Sequence, residues 1–364
     1  MGEKRVNPIR ILVDSLADEG LPNAQMGNAR EIICRLDPSR FHVSVFCAGT
    51  PDPLIAQRPN TRLIHLPKRR QTVRIAREFL LGEHDILFYL KPSPASRYYL
   101  QLRKRWRDQC VIIGTMESQA DMRNEPTIAG EAIRLWEQTI PHCDYLFSNS
   151  KAVQRSLLYE YSLQSDVIPT GVDTKFFSPD FSHRQNNRLR VLFVGSLRAF
   201  KGPQLVLDMA ACFPEVDFAL AGDGVMAAEL RAFAKEKLRN VEFLGLLAAE
   251  KLRDEYRKAN IFLFPSKWEG SPKVILEAAA CGLPVIARND YEPETVIDRQ
   301  TGFLARSDEE IFWRLEQLIH SAELREKMGI AGRNHVEYFD WDVISRKWEE
   351  VFTNLSAKRD HRAA

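Results

Sequence analysis

Short apolar runs alternate with amphipathic segments along most of this chain, and this alternation constrains the fold more than any other feature. In the first half the apolar runs are IRILVDS, HVSVFCAG, RLIHL, DILFYL, VIIGTM, YLFSNS and DVIPTG. Segments with helical periodicity separate most of them, among them NAREIICRL, TVRIAREFL and KAVQRSLLYEY. Short strands rich in β-branched residues that alternate with helices predict a parallel sheet covered on both faces.

The alternation pauses once and then begins again, which predicts two domains. The pause is the polar stretch SPDFSHRQNNRLR, residues 178–190, which has no helical period. A chain of 364 residues is also long for a single hydrophobic core. The second set of apolar runs is RVLFVG, VDFALAG, VEFLG, IFLFPS and PVIA, with helices predicted at about 201–212, 225–238, 248–258 and 272–281. We predict an α/β protein with two Rossmann-like doubly wound domains at 1–178 and 190–340, a linker at 179–189 and a final helix at 341–357.

Composition argues against several other classes of protein. No apolar run approaches the ~18 residues that a membrane-spanning helix needs. The N-terminal segment has no apolar stretch that ends at a cleavage site, so we expect no secretion signal and a cytoplasmic location. The six cysteines form no CxxC pair and predict neither a zinc site nor a disulfide framework.

Positive charge is concentrated between Arg58 and Arg107. This basic block contains thirteen lysines and arginines against three acidic residues, although the whole chain has a net charge of only +2. Two interpretations stay open: a solvated helix face, or a surface that meets an anionic membrane or an acidic, lipid-linked acceptor. Tyr98, Tyr99 and Trp106 are interleaved with these charges.

Ligands of such sheets bind at the carboxyl ends of the strands, so the residues that follow each second-domain strand are candidates for a site. Glycine lets a backbone approach a ligand closely, and the start of a helix presents N–H groups to an anion. Lys201 and Arg198 add positive charge after the first of these strands. The other candidates at strand ends are Gly195, Ser196, Gly222, Asp223, Gly224, Leu244, Gly245, Leu246 and Ser266.

The stretch KWEGSPKVILEAAACGLPVIA, residues 267–287, places Glu269 and Glu277 eight residues apart on either side of a predicted helix start. Glu269 is favoured electrostatically near a helix N-terminus and could be a helix-start feature alone. Glu277 lies in a helix that should be largely buried, where a carboxylate is costly unless it is hydrogen-bonded, and paired ribose hydroxyls would satisfy it. Backbone amides at the helix start could hold a phosphate or sugar hydroxyls. The amides are those of Ser271, Lys273 and Val274, while Gly270, Ser271 and Pro272 open the predicted helix.

These motifs resemble, in their order, those of family 4 glycosyltransferases, which are retaining enzymes with the GT-B fold. EGSPKVILEAAACGLPVIA is similar to the family's E-x7-E element, and VGSLRAFKG to its diphosphate-binding glycine and lysine element. AGDG, FLG, LFPS and TGF fall in the expected order after them or between them. In the first domain, CDYLFSNSKAVQRSL and VIPTGVDTKFF resemble the segment that leads to the linker.

The resemblance implies a role for each donor-site residue. Lys201, with Arg198, would neutralise the diphosphate of a UDP- or GDP-sugar. Glu269 would hold hydroxyls of the transferred sugar, and Glu277 would bind the ribose. The turn that ends at Lys273 would offer amides to the sugar and phosphates, while the base would lie near the loops after the second and third strands of this domain.

The resemblance also implies an organisation for the whole chain. The first domain would bind a saccharide or lipid-linked acceptor, the two domains would face a central cleft, and the final helix would cross back to the first domain. A first-domain loop with two glycines would close over the phosphates. The acceptor-side residues are Gly20, Asn23, Gly27 and Glu117.

The chain departs from the family's pattern at three places. Ser196 stands where the family often has an arginine, and Arg198 is the nearest substitute. The usual acceptor-side histidine is absent from GTMESQAD, where Glu117 is the nearest ionisable residue. The segment RNDYEPE replaces the glycine pair that the family has after PVIA.

The chemistry that follows needs few protein groups. Breaking the sugar–phosphate bond builds negative charge on the diphosphate, which fixed cations and helix amides stabilise. No Asp-x-Asp stands where a metal would bridge the diphosphate, so we predict no metal requirement. Retention follows if the acceptor attacks from the face that the diphosphate leaves. Two alternatives stay open: a nucleotide-sugar epimerase on the same fold, and a catalytically silent nucleotide-binding homologue.

Overall fold

The computed structural model describes residues 7–20, 24–103, 105, 109–118, 130–180 and 188–363. Asn23 and Trp106, both named above, lie outside these ranges, and so does most of the predicted linker. The chain divides into two compact units, one formed by Met1–Pro169 together with Trp341–Ala364 and the other by Thr170–Asp340.

The described part of the first unit contains a parallel sheet of seven strands in the order β3-β2-β1-β4-β5-β6-β7. Chain order runs outward from β1 to β3 and then resumes on the other side with β4, so the switch point of this sheet lies between β1 and β4. Most positions of β1 are buried, as expected for a central parallel strand covered on both faces. The strands are β1 Ile9–Leu16, β2 Phe41–Cys47, β3 Thr61–His65, β4 Ile86–Phe88, β5 Val111–Met116, β6 Tyr145–Ser148 and β7 Asp166–Val167.

Helices connect these strands and bury their apolar stripes against the sheet. The last of them begins after Ser150, whose hydroxyl caps the first turn by accepting the N–H of Val153 at 3.2 Å. Its residues Ala152, Val153 and Leu157 are buried. The helices are α1 Ala24–Arg35, α2 Pro53–Gln57, α3 Gln71–Leu81, α4 Pro94–Arg103, α5 Gly130–Glu137 and α6 Lys151–Tyr161.

The second unit repeats this architecture with a parallel sheet of six strands, formed by its described residues, in the order β10-β9-β8-β11-β12-β13. Its switch point lies between β8 and β11. The strands are β8 Arg190–Val194, β9 Asp217–Ala221, β10 Val241–Gly245, β11 Ile261–Phe264, β12 Val285–Arg288 and β13 Gly302–Ala305. The helices are α7 Pro203–Cys212, α8 Ala227–Lys237, α9 Ala249–Lys258, α10 Lys273–Ala280, α11 Asp308–His320 and α12 Ala322–Val336, and the first four of these lie where the sequence predicts them.

The boundary between the units falls earlier than the sequence suggests. Residues 170–178, which the sequence analysis assigns to the first domain, pack within the second unit. The Val172 N–H donates to the Phe339 carbonyl at 2.9 Å, and the Thr174 N–H donates to the Asp340 carboxylate at 3.2 Å. Phe177 packs edge-on against Tyr256, with ring centroids 5.9 Å apart. These partners are far away in sequence, so no local period could reveal them.

The last helix, α13 Trp341–Ala363, packs within the first unit and runs beyond the predicted end at residue 357. The Trp348 ring packs at a tilt against Phe88 and Phe147, with centroid distances of 4.7 and 4.9 Å. Phe352 packs edge-on against Phe41. The helix therefore completes the first unit's core. Among the described helices, none combines the length and the hydropathy that a membrane span requires.

Candidate active site

Lys201 and Glu269 meet at the switch point of the second sheet. Lys201 follows β8 and Glu269 follows the neighbouring strand β11, and the Lys201 ammonium forms an ion pair with Oε1 of Glu269. The Ser266 hydroxyl donates to the same oxygen at 2.7 Å. The Lys201 Nζ also lies 5.5 Å from the centroid of the Phe264 ring. Both charged side chains are more than four-fifths buried, so the pair is a fixed feature of the crevice.

Glycines let the loops after β8 and β9 touch backbone to backbone. Gly222 has a φ of +134°, and a Cβ there would lie 1.9 Å from the Gly195 carbonyl oxygen. A Cβ on Gly224 would lie 2.6 Å from the Leu197 carbonyl oxygen. The Gly222 N–H donates to the Gly245 carbonyl at 2.7 Å, which joins the loop after β10 to the other two. A side chain on Gly222 or Gly224 would force these loops apart.

The other strand-end candidates lie around these loops. Asp223 is partly engaged, since its carboxylate accepts the Gly224 N–H at 2.8 Å. The Arg198 side chain is exposed, and Leu246 is 80% exposed. Ser196 and Leu244 are half-buried.

The start of α10 is arranged as the sequence predicts. Pro272 occupies the position before the first helical residue, Lys273, and has no side chain that could cap the first turn. Gly270 and Pro272 are buried, while Ser271 is half-buried. The helix ends at Cys281 and Gly282, with Gly282 in the left-handed region at a φ of +73°.

Glu277 is held through one carboxylate oxygen by a buried tyrosine. The Tyr256 hydroxyl donates to Oε2 of Glu277 at 2.9 Å and also lies 3.3 Å from the Val274 carbonyl. Burial raises the pKa of Glu277 above its ordinary value, against the opposing effects of the Tyr256 hydrogen bond and the Lys273 charge. Glu277 as a residue is only half-buried, and its Oε1 accepts no hydrogen bond from the described part of the chain. The carboxylate therefore has one oxygen for a ligand.

Tyr291 is a residue that the sequence analysis missed. It lies in the RNDYEPE segment after β12, the strand that pairs with β11. The residue is fully buried, and its hydroxyl has no hydrogen-bond partner among the described residues. Burial, together with the charges of Glu269 and Asp290, raises its pKa. The sequence did offer a sign of this residue, because RNDYEPE, which contains Tyr291, stands where the resembled family has a glycine pair.

The acceptor-side residues of the first unit are only partly as predicted. Gly20 lies in a turn with a φ of +72°, but Gly27 lies inside α1 rather than in a loop, because the helix begins at Ala24. Glu117 follows β5 and accepts hydrogen bonds from the Asn28 side-chain amide at 2.8 Å and the Tyr89 hydroxyl at 2.7 Å. These two partners lie far from Glu117 in sequence and could not be found from spacing.

The basic block is not a uniform surface. The buried Arg58 donates to the carbonyls of Leu36 and Phe41 at 3.0 and 3.1 Å. Arg62 forms an ion pair with Glu78. Of the interleaved aromatic residues, Tyr98 is 54% exposed whereas Tyr99 belongs to the core.

The sequence of this chain is similar to those of known glycosyltransferases. Residues 175–335 match the family model described as Glycosyl transferases group 1. The D-inositol 3-phosphate glycosyltransferase of Corynebacterium diphtheriae is 29% identical over 295 residues, which are 71% of this chain and 69% of that protein. The sulfoquinovosyl transferase of Arabidopsis thaliana is 32% identical over 196 residues, 49% of this chain and 37% of that protein.

Solved structures show the same fold. The sucrose-phosphate synthase of Thermosynechococcus elongatus superposes with a TM-score of 0.78 at 20% identity, covering 96% of this chain and 100% of that one. An Anabaena protein solved with UDP and glucose superposes with a TM-score of 0.76 at 18% identity, covering 95% of this chain and 100% of that one. The predicted fold class, with two parallel-sheet Rossmann-like domains of the GT-B type, is confirmed.

The two units together have the GT-B fold. Within the second unit, residues 175–335 are similar to the glycosyl transferases group 1, and the curated relatives that match the chain include glycosyltransferases.

The buried Asp14 carboxylate makes the stability of the first unit depend on pH. This buried residue of β1 accepts the Lys91 N–H at 2.8 Å, and burial raises its pKa from 3.8 to about 6. The ionised Asp14 carboxylate therefore lowers the free energy of unfolding. This loss is complete above pH ~6, where Asp14 is ionised in the folded protein, and absent below pH ~4, where it is protonated in both states. A shift of ~2 pKa units corresponds to about 3 kcal/mol. We expect Asp14→Asn to raise the free energy of unfolding by up to that amount at pH 8, with the gain vanishing near pH 4 in urea titrations.

The exposed Asp166 in β7 provides the control for this experiment. Asp166→Asn should leave the free energy of unfolding nearly unchanged across the same pH range. A stabilisation by Asp14→Asn that did not depend on pH would contradict the assignment of the effect to the Asp14 charge.

Proposed function

We propose that this protein transfers a sugar from a nucleotide-diphosphate sugar, a UDP- or GDP-sugar, to a hydroxyl of a saccharide or lipid-linked acceptor with retention of configuration, as a family 4 enzyme. One observation carries the donor assignment. Glu277 lies on α10, the helix that begins just after Glu269, and its Oε1 accepts no hydrogen bond from the described part of the chain. A ribose that donates to Glu277 would direct its diphosphate toward the start of α10. The Anabaena neighbours were solved with UDP, glucose and UDP-glucose.

Each donor contact has a physical reason. The diphosphate would compete with Glu269 for the Lys201 ammonium, so the positive charge would be shared between the sugar's leaving group and the carboxylate. Glu269 could then accept hydrogen bonds from sugar hydroxyls. Arg198, which is exposed, would add a mobile cation. Because these cations and the helix amides supply positive charge, we propose that transfer needs no metal.

The transfer step exchanges one bond at the anomeric carbon for another. The acceptor oxygen forms a bond to that carbon while the bond from the carbon to the diphosphate oxygen breaks. The acceptor's hydroxyl proton passes to the departing diphosphate oxygen, so no protein base is required. Lys201 would stabilise the negative charge that grows on the diphosphate as it leaves.

Glu277→Gln tests the donor assignment. We expect calorimetric titration with the preferred diphosphate, chosen from UDP, GDP and ADP, to show affinity reduced about 10- to 150-fold, since a hydrogen bond to a charged group contributes ~1.5–3 kcal/mol. The melting temperature without ligand should not fall, because the substitution removes a desolvated charge and glutamine can still accept from Tyr256.

Two further variants separate the roles of the charged pair. Glu269→Ala should spare binding of the free diphosphate, because we assign Glu269 to the sugar and its removal frees Lys201. Lys201→Ala should lower turnover. Unchanged diphosphate affinity in Glu277→Gln, or a lower melting temperature without any change in affinity, would identify Glu277 as a structural carboxylate.

Product analysis tests the reaction class and its stereochemistry. Incubation with a panel of nucleotide sugars should consume donor only when an acceptor extract is present. Proton NMR of the fresh product should show the same anomeric configuration as the donor. Donor isomerisation without acceptor would indicate an epimerase instead, and binding without turnover a silent homologue. An inverted product would make Glu117 a general base, since a well-placed carboxylate can deprotonate an acceptor.

Peripheral association with an anionic membrane is the second part of the proposal. The exposed side of α3 carries Val73, Arg77 and Leu81 at four-residue intervals, and the two apolar residues are 63% and 61% exposed. Exposed Arg69 and Arg70 precede the helix. A helix with apolar residues flanked by basic ones can lie in the interface of an anionic bilayer.

Vesicle flotation tests this association. At low salt, we expect vesicles containing anionic phosphatidylglycerol to recover the protein, and neutral phosphatidylcholine vesicles to leave it in solution. Recovery should fall as salt is added, because the Debye length shrinks to about 10 Å at 0.1 M. The combined substitutions Arg69→Gln, Arg70→Gln and Arg77→Gln should abolish most of the recovery.

The matched control removes three exposed charges from the second unit, through Lys235→Gln, Lys237→Gln and Arg239→Gln. This variant should float like the wild type. Equal recovery of the wild type with neutral and anionic vesicles would refute the membrane proposal.

A further inference from the structure

Buried polar side chains gather at the switch point of the first unit's sheet. They lie on or directly after the neighbouring strands β1, β4, β5 and β6, and on α1. The carboxyl ends of parallel strands meet at one edge of a sheet, and at a switch point they leave a crevice for a ligand. We define the switch-point cluster as Asp14, Ser15, Asn28, Tyr89, Lys91, Glu117 and Asn149.

Glu117 is the most firmly positioned member of the switch-point cluster. Asn28 and Tyr89 both donate to its Oε1, and the Asn149 side-chain amide donates to its backbone carbonyl at 3.1 Å. Tyr89 adopts a φ of +62°, a conformation that is costly for a bulky residue and that brings its hydroxyl to Glu117. The Glu117 residue is half-buried. Its carboxylate is thus fixed while part of the residue remains accessible.

Three atoms of the switch-point cluster still lack partners. Ser15 Oγ, Asn28 Oδ1 and Asn149 Oδ1 are buried and accept or donate no hydrogen bond within the described part of the chain. Their residues are at least nine-tenths buried. Buried polar atoms in native proteins almost always have a hydrogen-bond partner, so we expect a bound molecule to supply one for these three atoms. Two of them are amide oxygens, which need donors, and the hydroxyls of a bound ring are donors of the right kind.

The charges of the switch-point cluster restrict what that ring can carry. Asp14 and Glu117 contribute two carboxylates, and Lys91 contributes one ammonium group. A phosphate would therefore face more negative than positive charge at short range, in surroundings where charges are poorly screened. Hydroxyl groups meet no such repulsion and can donate to the carboxylates.

We infer that the switch-point cluster is the acceptor subsite and that it selects an uncharged polyhydroxylated ring, with Glu117 accepting a hydrogen bond from one ring hydroxyl. The inference rests on the proposed function and names the acceptor class for it. Asn28 and Tyr89 act as positioning residues for Glu117. The relatives named as D-inositol 3-phosphate glycosyltransferases are named for an acceptor that carries a negatively charged phosphate, in contrast to the uncharged ring inferred here.

Paired probes that differ only by a phosphate group test this selection. We would titrate the full chain, saturated with whichever of UDP, GDP or ADP it binds, with myo-inositol and D-myo-inositol 3-phosphate, and with glucose and glucose 6-phosphate. Ligand-observed saturation-transfer NMR would give the dissociation constants. In at least one pair the neutral member should bind about tenfold or more tightly than its phosphate, from the net repulsion of ~1.4 kcal/mol or more.

Variants assign the selection to Glu117. Glu117→Gln should reduce the ratio of neutral to phosphorylated affinity about tenfold, because both the acceptor of a ring hydroxyl and the repulsion of a phosphate are weakened. Tyr89→Phe should reduce the same ratio by a few fold while keeping the aromatic ring in place. The exposed residue Glu160 on α6 gives the matched control, and Glu160→Gln should leave the ratio unchanged. Thermal melts would confirm that each variant is folded.

The remaining outcomes decide against the inference. It is overturned if a phosphorylated probe binds the wild type as tightly as its neutral partner in both pairs, or if no probe binds a protein that does bind a nucleotide. It is also overturned if folded Glu117→Gln and Tyr89→Phe keep the wild-type ratio. A wild type that binds none of the three nucleotides would instead remove the proposed function on which the inference depends.

Discussion

Each sheet of this protein reverses its chain order once, and the crevice at that reversal is the constraint on which both candidate sites depend. In the second sheet, Lys201 and Glu269 form an ion pair across the reversal. In the first sheet, the Asp14 carboxylate accepts the backbone N–H of Lys91 across the corresponding place. Helices that leave a switch point on opposite faces cannot cover it, so side chains from the two adjoining segments provide the closest contacts there. Strand order thus determines where the charged groups meet.

Two carboxylates of the candidate sites, Glu277 and Asp14, are held in surroundings that disfavour their charge. Burial raises the pKa of both Glu277 and Asp14, which means that each is less well solvated in the folded protein than in water. Glu277 receives one hydrogen bond from Tyr256, and Asp14 one from a backbone amide. A ligand hydroxyl that donates to either group would restore part of the lost solvation. The binding of a hydroxyl-rich ligand at these carboxylates would therefore also relieve part of this electrostatic cost.

The sequence predicts the scaffold well because the residues that become buried recur with the periodicity of strands and helices. Apolar runs mark every strand of the two sheets except β13, and four of the second unit's helices, α7 to α10, begin and end within a few residues of their predicted positions. The sequence analysis gave no position for α11 or α12. The strand-end glycines were also predictable, because a close backbone contact such as that of Gly222 with Gly195 requires their absence of a side chain. Periodicity cannot reveal hydrogen bonds between residues that lie far apart in the sequence. Glu117 depends on Asn28, 89 residues away, and Thr174 on Asp340, 166 residues away.

Position in the sequence also says little about how charge is distributed on the surface. The basic block has a large excess of positive charge, but Arg58 and Arg62 direct theirs to internal carbonyls and to Glu78. Arg103 forms an ion pair with Asp144. Charges that are matched inside the fold contribute little to the field felt by a membrane or an acceptor, whereas those around α3 remain exposed. The part of the block that can act at a distance is therefore smaller than its composition implies, and among the described residues it includes the exposed arginines at and before α3 together with Arg97 and Arg105.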